Sequence, residues 1–210
     1  RISPPIGRSM IFSADRSRLW LANELFGRIA LYRSPATGGD RPADVALRVQ
    51  GAQWRAIWYE EGRDIVYATG RLSPTIYAWD GASSMDTDTA PTRTFNVPGA
   101  IGGAHLTGAP NSDYLFAAVP ISGVAKVFVY PQAHTANGET VPARVIEPQG
   151  FGTHALAWDP ESDLLFLGES DGNDIFVYTD ASSAEGAVAP ARTITVNFTG
   201  MAGNDSISGL

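Results

Sequence analysis

Ile175-Phe-Val-Tyr178 is one of four short apolar stretches that end in an aromatic residue and recur at a regular interval along this chain. The other three are Ile29-Ala-Leu-Tyr32, Ile76-Tyr-Ala-Trp79 and Val127-Phe-Val-Tyr130. Their closing aromatic residues lie 47, 51 and 48 residues apart. A period of roughly 40–50 residues is typical of the blades of a β-propeller and is longer than most helical repeats. The spacing therefore predicts a series of blade-like sheets.

Each repeat contains further segments that keep the same spacing. A second apolar strand precedes the first in every copy, at Arg18-Leu-Trp-Leu-Ala22, Asp64-Ile-Val-Tyr-Ala68, Asp113-Tyr-Leu-Phe-Ala117 and Asp163-Leu-Leu-Phe-Leu167. A looser strand comes before it, and a small-residue loop leads from the aromatic to a proline-headed strand such as Pro142-Ala-Arg-Val-Ile146. The segments are short, rich in β-branched and aromatic residues, and bounded by turn residues. Because no window has the period of an amphipathic helix, we expect an all-β chain of four-stranded antiparallel blades.

The pattern also indicates where each strand lies within a blade. The middle two strands are nearly continuous apolar runs, which is typical of strands covered on both faces. The proline-headed strand suits an outer edge, because a residue without an N–H group costs no ladder hydrogen bond there. The looser strand is then innermost, where its side chains would line a central channel.

The repeats divide the chain into four blades of approximately residues 8–51, 52–99, 100–150 and 151–200, which end near Gly51, Gly99, Gly150 and Gly200. Residues 1–7 align with an outermost strand and residues 201–210 with the beginning of an innermost strand. We therefore expect one propeller domain, or a fragment of one, with a single strand of another blade at each end. Part of a larger ring is the favoured interpretation. A four-bladed ring with two extra strands and a ring completed by a second chain are the alternatives.

Composition excludes several functional classes. The chain has no cysteine, so it has no disulfide, no thiolate metal site and no cysteine nucleophile. Its formal charge of −7 is spread without a basic run, which disfavours binding to nucleic acid. No apolar run approaches the ~18 residues of a membrane-spanning helix.

The fourth repeat carries a more specific pattern. Residues 177–200 contain Val-Tyr, a small-residue loop with Gly, and then Ala189-Pro-Ala-Arg-Thr-Ile194. This pattern resembles a repeat of bacterial secreted and surface proteins that are similar to NHL-repeat and lactonase-like β-propellers. The resemblance covers nearly the whole chain and is weakest in residues 8–50, where Arg41-Pro-Ala-Asp-Val-Ala46 replaces the repeat unit.

The resemblance implies an extracytoplasmic protein, located in the periplasm, at the cell surface or outside the cell, with roughly five to eight blades. Members with known activity include sugar lactonases and hydrolase-like enzymes that use a metal in the central channel. Many other members are binding or scaffolding modules. Fold-level likeness does not by itself assign a reaction.

The candidate ligand-binding residues are those at which the repeats differ at the start of the innermost strand, namely Trp54, Arg55, His105 and His154. A tryptophan beside an arginine could stack on a sugar or hold an anion. Packing of the tryptophan between blades is the alternative. Anchoring the repeats on Pro110 and Pro160 places His105 and His154 one register apart, so strand alternation would aim them in opposite directions. This offset disfavours a metal shared by the two histidines.

The fourth repeat is also rich in carboxylates, at Asp159, Glu161, Asp163, Glu169, Asp171 and Asp174. Residues 171–174 superficially resemble a calcium loop, but a strand begins at Ile175, before a downstream carboxylate ligand could follow. Asp171-Gly-Asn173 between two apolar strands predicts a hairpin turn instead. We therefore expect no resident metal or cofactor, and calcium or another divalent ion is the alternative.

These observations favour an extracytoplasmic module that binds or assembles with a protein or a glycan. No nucleophile elbow, zinc-binding motif or phosphate-binding loop is present, so no catalytic residue is assigned. The first alternative is a lactonase-like or hydrolase-like enzyme with a metal or polar site in the channel. The second is a structural subunit of a surface layer or filament that self-assembles through its terminal strands.

Overall fold

The computed structural model describes residues 7–24, 26–37, 41–148, 153–169 and 172–196. The chain divides into two compact units, which are described separately. Unit 1 lies within residues 1–106, 110–112 and 134–140, and unit 2 lies within residues 107–109, 113–133 and 141–210. None of the helices among the described residues has the length and apolar character that crossing a bilayer requires.

Unit 1 holds the first two sheets. The first has the order β1-β2-β3-β4, with strands β1 (Gly7–Phe12), β2 (Arg18–Asn23), β3 (Arg28–Arg33) and β4 (Val45–Arg48). The second has the order β5-β6-β7-β8, with strands β5 (Trp54–Glu60), β6 (Ile65–Gly70), β7 (Thr75–Asp80) and β8 (Arg93–Asn96). All neighbouring strands in these two sheets are antiparallel.

The third sheet begins with β9 (His105–Gly108), whose last two residues belong to unit 2. It continues with β10 (Leu115–Ile121), β11 (Val124–Tyr130) and β12 (Arg144–Pro148). The fourth sheet has the order β13-β14-β15-β17, with strands β13 (Thr153–Asp159), β14 (Leu164–Glu169), β15 (Asp174–Tyr178) and β17 (Arg192–Thr195). Between β15 and β17, the short strand β16 (Gly186–Val188) pairs in parallel with β12 as a fifth strand of the third sheet.

The predicted all-β architecture of four-stranded antiparallel blades is confirmed, and only 7 % of the described residues are helical. The helical part consists of single 3-10 turns at Pro35–Thr37, Glu61–Arg63, Ala82–Ser84 and Ala133–Thr135. Gly51 and Gly99 follow β4 and β8, close to the predicted breaks. Residues 1–6 and 201–210, the predicted terminal strands, lie outside the described residues, as do Gly150 and Gly200.

The expectation that every proline-headed strand forms an outer edge is wrong for the third sheet. There, β12 is flanked by β11 on one side and by β16 on the other. The segment ahead of Pro190, which the repeats predict to be a small-residue loop, contains the short strand β16. Gly186 has a φ of 71°, a left-handed conformation that glycine adopts at little cost and that turns the loop onto β12.

The repeated aromatic residues occupy equivalent positions, as predicted. In the four sheets, Tyr32 pairs with Leu19, Trp79 with Val66, Tyr130 with Leu115, and Tyr178 with Leu165. Trp79, Tyr130 and Tyr178 are at most 2 % exposed, whereas Tyr32 is half-buried beneath the guanidinium of Arg41. The repetition of these aromatic residues thus serves the core.

Each unit has its own core, built by the middle strands. All six residues of β6 are buried, which agrees with the prediction that both faces of this strand are covered. The core of unit 1 contains Trp20, Trp54 and Trp79. The core of unit 2 contains Phe116, Ile146 and Tyr178. Burying large side chains of this kind contributes about 1.5–3 kcal/mol each and is the main source of stability in such a fold.

The aspartate that precedes the second strand holds the loop after the third strand. In unit 1, Asp64 Oδ1 accepts hydrogen bonds from the hydroxyl of Tyr59 and the backbone N–H of Ser83, both at 2.9 Å. Its Oδ2 accepts a bond from the Ser83 hydroxyl at 2.7 Å. Burial raises the pKa of Tyr59 above its usual range, and the bond to Asp64 raises it further. The carboxylate therefore ties two separate segments of the blade together.

Unit 2 repeats this arrangement with a different aromatic donor. Asp163 Oδ1 accepts bonds from the indole N–H of Trp158 at 3.0 Å and from Ser182 N–H at 2.9 Å. The Ser182 hydroxyl donates to Asp163 Oδ2 at 2.7 Å. Asp64 and Asp163 both have a left-handed backbone, with φ of 55° and 50°, which aspartate tolerates better than most residues. An aspartate carboxylate at the equivalent position thus performs the same structural task in each of the two blades.

Replacing Asp163 with alanine is expected to lower the free energy of unfolding by about 3 kcal/mol, because Trp158 and Ser182 lose a charged acceptor. Asp163→Asn should recover part of this loss, since an amide oxygen still accepts a bond and asparagine tolerates the left-handed backbone. Chemical denaturation would measure both variants. The exposed Asp86 provides the control, because Asp86→Ala should change the stability by less than about 0.5 kcal/mol. Equal stability of Asp163→Ala and the unmodified protein would contradict the assigned role.

Candidate functional site

The first strand of three blades carries a β-bulge at the same place. The pairing register shifts between Gly7 and Ser9 in β1, between Trp54 and Ala56 in β5, and between Thr153 and Ala155 in β13. The extra residue in each bulge is Arg8, Arg55 or His154. Bulges twist a strand and re-aim its side chains, and they are frequent beside functional sites. Two of the predicted ligand-binding residues therefore occupy the irregular point of their strands.

Arg55 and His105, both in unit 1, are in direct contact. The Arg55 Nε donates to His105 Nε2 at 3.1 Å, and Arg55 Nη2 lies 2.8 Å from the same nitrogen. A guanidinium group only donates, so Nε2 accepts and the imidazole proton in this arrangement lies on Nδ1. Both side chains are partly buried. The pair presents a cation held in place by a neutral ring, which suits an anionic or hydrogen-bond-accepting ligand group.

The sequence did not predict this contact. Repeat alignment places Arg55 and His105 one register apart, and strand alternation alone would point them in opposite directions. The pairing register shifts at Arg55, so simple alternation does not predict the direction of this side chain. The backbone of His154 lies at the equivalent bulge in β13, and its side chain is outside the described residues. Ligand binding by Arg55, His105 and His154 stays a prediction.

Trp54 is placed differently. Its side chain is 0 % exposed and packs edge-on against Tyr77 and Trp79, with ring centroids 5.4 and 5.8 Å away. No ring face is available for stacking on a sugar, so the geometry corresponds to the packing alternative. Its indole N–H has no hydrogen-bond partner among the described residues. Trp54 thus belongs to the core of unit 1 and leaves one buried donor unused.

The segments around Arg55 are bonded into one surface. Arg71, in the β6–β7 turn, donates its backbone N–H to Gln53 O at 2.5 Å, and its carbonyl accepts from Gly103 N–H at 3.0 Å. Its guanidinium forms an ion pair with Glu24, in the β2–β3 turn, at 3.0 Å. Arg71 thereby joins its own turn to three other connections of unit 1, which are the β2–β3 turn, the β4–β5 connection and the β8–β9 connection.

Two glycines permit this close assembly. A Cβ atom at Gly103 would lie 2.0 Å from the carbonyl oxygen of Gly70, a distance that real atoms do not reach. A Cβ atom at Gly27 would lie 2.6 Å from Ala52 O, and Gly27 also has a left-handed φ of 58°. Only glycine fits at either position without moving the backbone.

The joined connections expose three large apolar side chains. Phe26 is 64 % exposed, Leu72 is 73 % exposed and Ile101 is 93 % exposed. Each lies next to a residue that takes part in these bonds. Phe26 is two residues after Glu24, Leu72 follows Arg71, and Ile101 is two residues before Gly103. We call these three side chains the apolar face of unit 1. Scattered apolar residues are common on protein surfaces, but grouped ones mark interaction sites.

A groove lies beside Phe26. It has a volume of about 490 Å³ and lies between the β2–β3 turn, residues 24–27, and the β4–β5 connection, residues 48–53. This volume falls within the range of small-ligand sites, roughly 300–1,000 Å³. The groove therefore extends the apolar face with room for a side chain of a partner.

The sequence analysis missed the apolar face because it searched for residues at the start of the innermost strands. One signal was present, since Leu72 stands in the turn Arg71-Leu-Ser-Pro74, where an apolar residue has no strand to pack into. A large apolar residue in a tight turn predicts either exposure or a tertiary contact, and the sequence does not distinguish them.

Three carboxylates of the fourth repeat are used by the fold. Asp163 holds Ser182, Asp159 accepts the backbone N–H of Glu161, and Asp174 accepts the hydroxyl of Thr195. Within the described ranges, no three histidine or carboxylate side chains come together as a metal site would require. Asp171 lies outside those ranges. Calcium at this repeat stays an untested alternative.

No protein-family model matches the sequence, and no curated protein matches it. Solved structures match widely, in 789 chains, so the fold is shared by many proteins and the likeness selects no single function. One matching chain comes from the crystal structure of a mitotic checkpoint complex. It is 14 % identical to this chain, with a TM-score of 0.62, and the alignment covers 89 % of this chain and 52 % of that one. This chain thus spans about half the length of that neighbour, and the likeness shows the β-propeller fold alone.

Replacing Trp54 with alanine is expected to lower the free energy of unfolding by about 3–5 kcal/mol, because the indole is fully buried. Arg55→Ala should cost much less, since Arg55 is partly exposed and alanine leaves no large cavity. Denaturation of the two variants would separate packing from surface function. A Trp54→Ala protein as stable as the parent would contradict the packing role and restore Trp54 as a binding candidate.

Proposed function

We propose that this chain is a binding or assembly module that takes a partner protein at the apolar face of unit 1. The observation that carries the proposal is the exposure of Phe26, Leu72 and Ile101, at 64, 73 and 93 %, on connections bonded to one another. Large apolar side chains anchored on a rigid support are the usual centres of protein interfaces. Their exposure in water is unfavourable, and a partner that covers them relieves that cost.

The surroundings of the apolar face favour a protein over a glycan. Protein interfaces combine apolar anchors with a polar rim, and here the Arg71–Glu24 ion pair joins the turns that carry Leu72 and Phe26. Glycan binding relies on exposed aromatic faces, and the apolar face has one aromatic side chain, Phe26, beside the aliphatic Leu72 and Ile101. The neighbour of known structure is itself part of a protein complex, which is consistent with a fold that presents surfaces to other proteins.

The family, the origin, the cellular location and the lack of catalysis are also proposals. The repeat resemblance is the support for an NHL-like protein of bacterial origin that works in the periplasm, at the cell surface or outside the cell. The proposal that the chain is not an enzyme rests on the internal use of its carboxylates, such as Asp64 and Asp163, as loop-holding acceptors. Fractionation of the producing cells, followed by detection of the protein with an antibody, would test the location.

Photo-crosslinking tests the proposed interface. With p-benzoylphenylalanine in place of Leu72, irradiation in the producing cells should yield a discrete adduct that mass spectrometry identifies as a protein. The same group in place of Val141, which is 83 % exposed in unit 2, is the matched control and should not yield that adduct. Adding Phe26→Asp and Ile101→Asp to the Leu72 protein should abolish the adduct, because charges at an apolar interface oppose association.

The melting temperature should stay nearly unchanged in these variants, since the side chains are exposed. Identical adducts at positions 72 and 141, or an adduct that survives both aspartate substitutions, would contradict the proposed interface. An adduct with a carbohydrate would assign the face to a glycan.

One observation favours the lactonase-like or hydrolase-like alternative. The Arg55–His105 pair offers a positioned cation beside an imidazole, and the unused indole N–H of Trp54 is close in sequence. Such an enzyme should hydrolyse a sugar lactone, with or without added calcium, and Arg55→Ala or His105→Ala should abolish turnover without loss of folding. We expect no hydrolysis above the uncatalysed rate from the unmodified protein. Turnover that depends on His105 would replace the binding proposal with the enzymatic one.

A further inference from the structure

Two arginines stand directly opposite each other in the first sheet. Arg28 begins β3 and Arg48 ends β4, and the two residues pair in the antiparallel register of these strands. Directly opposite residues share one face of a sheet, with their Cβ atoms roughly 4.5–5.5 Å apart. Both arginines are exposed. Like charges in this arrangement are destabilising, so neither charge helps the two strands to pair.

The carboxylates at this end of the sheet are bonded to other arginine atoms. Asp88 Oδ1 lies 3.4 Å from Arg48 Nε, and the two side chains are 60 and 49 % exposed, so this ion pair contributes little. Glu24 Oε1 lies 3.0 Å from Arg71 Nη1. Arg28 adds a positive charge beside these two ion pairs, in a chain whose formal charge is −7. The arginine pair is therefore a local basic site on an acidic protein.

The groove beside Phe26 borders the arginine pair. Arg48 is one of the residues that line it, together with Phe26, Val49 and Ala52. Phe26 is 64 % exposed and stands two residues before Arg28. A recess of side-chain size, lined in part by apolar side chains, is thus contiguous with two exposed guanidinium groups on unit 1.

Backbone contacts fix the shape of this groove. A Cβ atom at Gly27 would lie 2.6 Å from Ala52 O, so the two segments that form the groove touch at that point. Ala52 N–H donates to Val49 O at 3.1 Å, and Phe26 N–H donates to Asn23 Oδ1 at 2.9 Å. A site whose walls are already in place loses little conformational entropy when a ligand binds.

The combination of charge and groove selects among anionic partners. Guanidinium groups bind carboxylates and phosphates through paired hydrogen bonds. A nucleic acid would bring many phosphates to a chain of formal charge −7, which repels them, and a free phosphate ion would leave the groove unused. An acidic peptide segment uses both features, because its carboxylates reach the arginines while an apolar side chain enters the groove.

We propose that the Arg28–Arg48 pair and the groove beside Phe26 bind an acidic segment of the partner protein. Aspartate or glutamate carboxylates of this segment bind the two guanidinium groups, and a neighbouring large apolar side chain occupies the groove. This inference rests on the proposed function, because Phe26 belongs to the apolar face. It adds the chemical class of the partner and gives the like-charge pair a task outside folding.

Peptide display tests the preference without knowledge of the partner. Random dodecapeptides on phage, selected on the immobilised protein, should be enriched in sequences that place aspartate or glutamate beside leucine, isoleucine or phenylalanine. Enrichment of basic peptides, of apolar peptides without acidic residues, or of no peptide at all would overturn the proposal.

Charge reversal at one arginine provides the quantitative test. A selected acidic peptide should bind Arg28→Glu at least about tenfold more weakly than the parent, because the introduced carboxylate competes for Arg48. Arg28→Lys should keep most of the affinity, since it retains the charge. Arg192→Glu, at an exposed position of β17, changes the net charge equally and should bind like the parent. Isothermal titration calorimetry would measure all four proteins, and equal weakening by Arg28→Glu and Arg192→Glu would overturn the proposal.

The melting temperature separates binding from folding. Arg28→Glu should be at least as stable as the parent, because opposite charges replace like charges across the two strands. A clear fall in melting temperature would assign Arg28 a structural role and contradict the inference.

Photo-crosslinking at position 72 distinguishes a failure of this inference from a failure of the proposed function. With p-benzoylphenylalanine in place of Leu72, adding Arg28→Glu should reduce the protein adduct at least about tenfold, and adding Arg192→Glu should not. An undiminished adduct would overturn the acidic-segment proposal and leave the proposed interface standing. If position 72 gives no adduct in any of these proteins, the proposed interface fails, and the peptide measurements alone decide the acidic site.

Discussion

In the second and fourth blades, the contact with the preceding blade depends on one aspartate carboxylate placed before the second strand. Asp64 and Asp163 each accept bonds from the backbone N–H and the hydroxyl of a serine in the loop between the third and fourth strands. That serine then lies where its carbonyl accepts a bond from the arginine of the preceding blade, as Ser83 does for Arg33 and Ser182 does for Arg144. A local turn thereby determines the contact between blades. Because the carboxylate accepts several bonds, removing it would release both the turn and the loop between the third and fourth strands.

The repeated residues and the candidate sites are separated in this chain. The residues that recur, such as Trp79, Tyr130 and Tyr178, are buried and hold sheets together. The residues that do not recur are found at the bulges and turns of unit 1, where Arg55 meets His105 and Arg71 joins three connections. A repetitive fold offers the same polar group at every blade, so a single site has to be made where the blades differ. Both the apolar face and the Arg55–His105 pair meet this condition.

Edges are the remaining constraint. The fourth strand of a blade has one open edge, and among the described residues the loop between the third and fourth strands of the next blade is bonded to β4, β8 and β12. Each of these strands carries one buried apolar residue, namely Leu47, Phe95 or Ile146. The same loop therefore serves its own blade and the preceding one.

The sequence by itself determined the strand content, the order of strands within a blade and the equivalence of the repeated aromatic residues. These features follow from local patterns, because alternation, turn residues and a fixed period are properties of neighbouring residues. Only the tertiary structure decided that Trp54 is buried, that Arg55 reaches His105 across a bulge, and that β16 pairs with β12. The tertiary structure likewise decided that Phe26, Leu72 and Ile101 are exposed. The reason is that a side chain's surroundings depend on segments distant in sequence, and a bulge of one residue reverses the direction that alternation predicts.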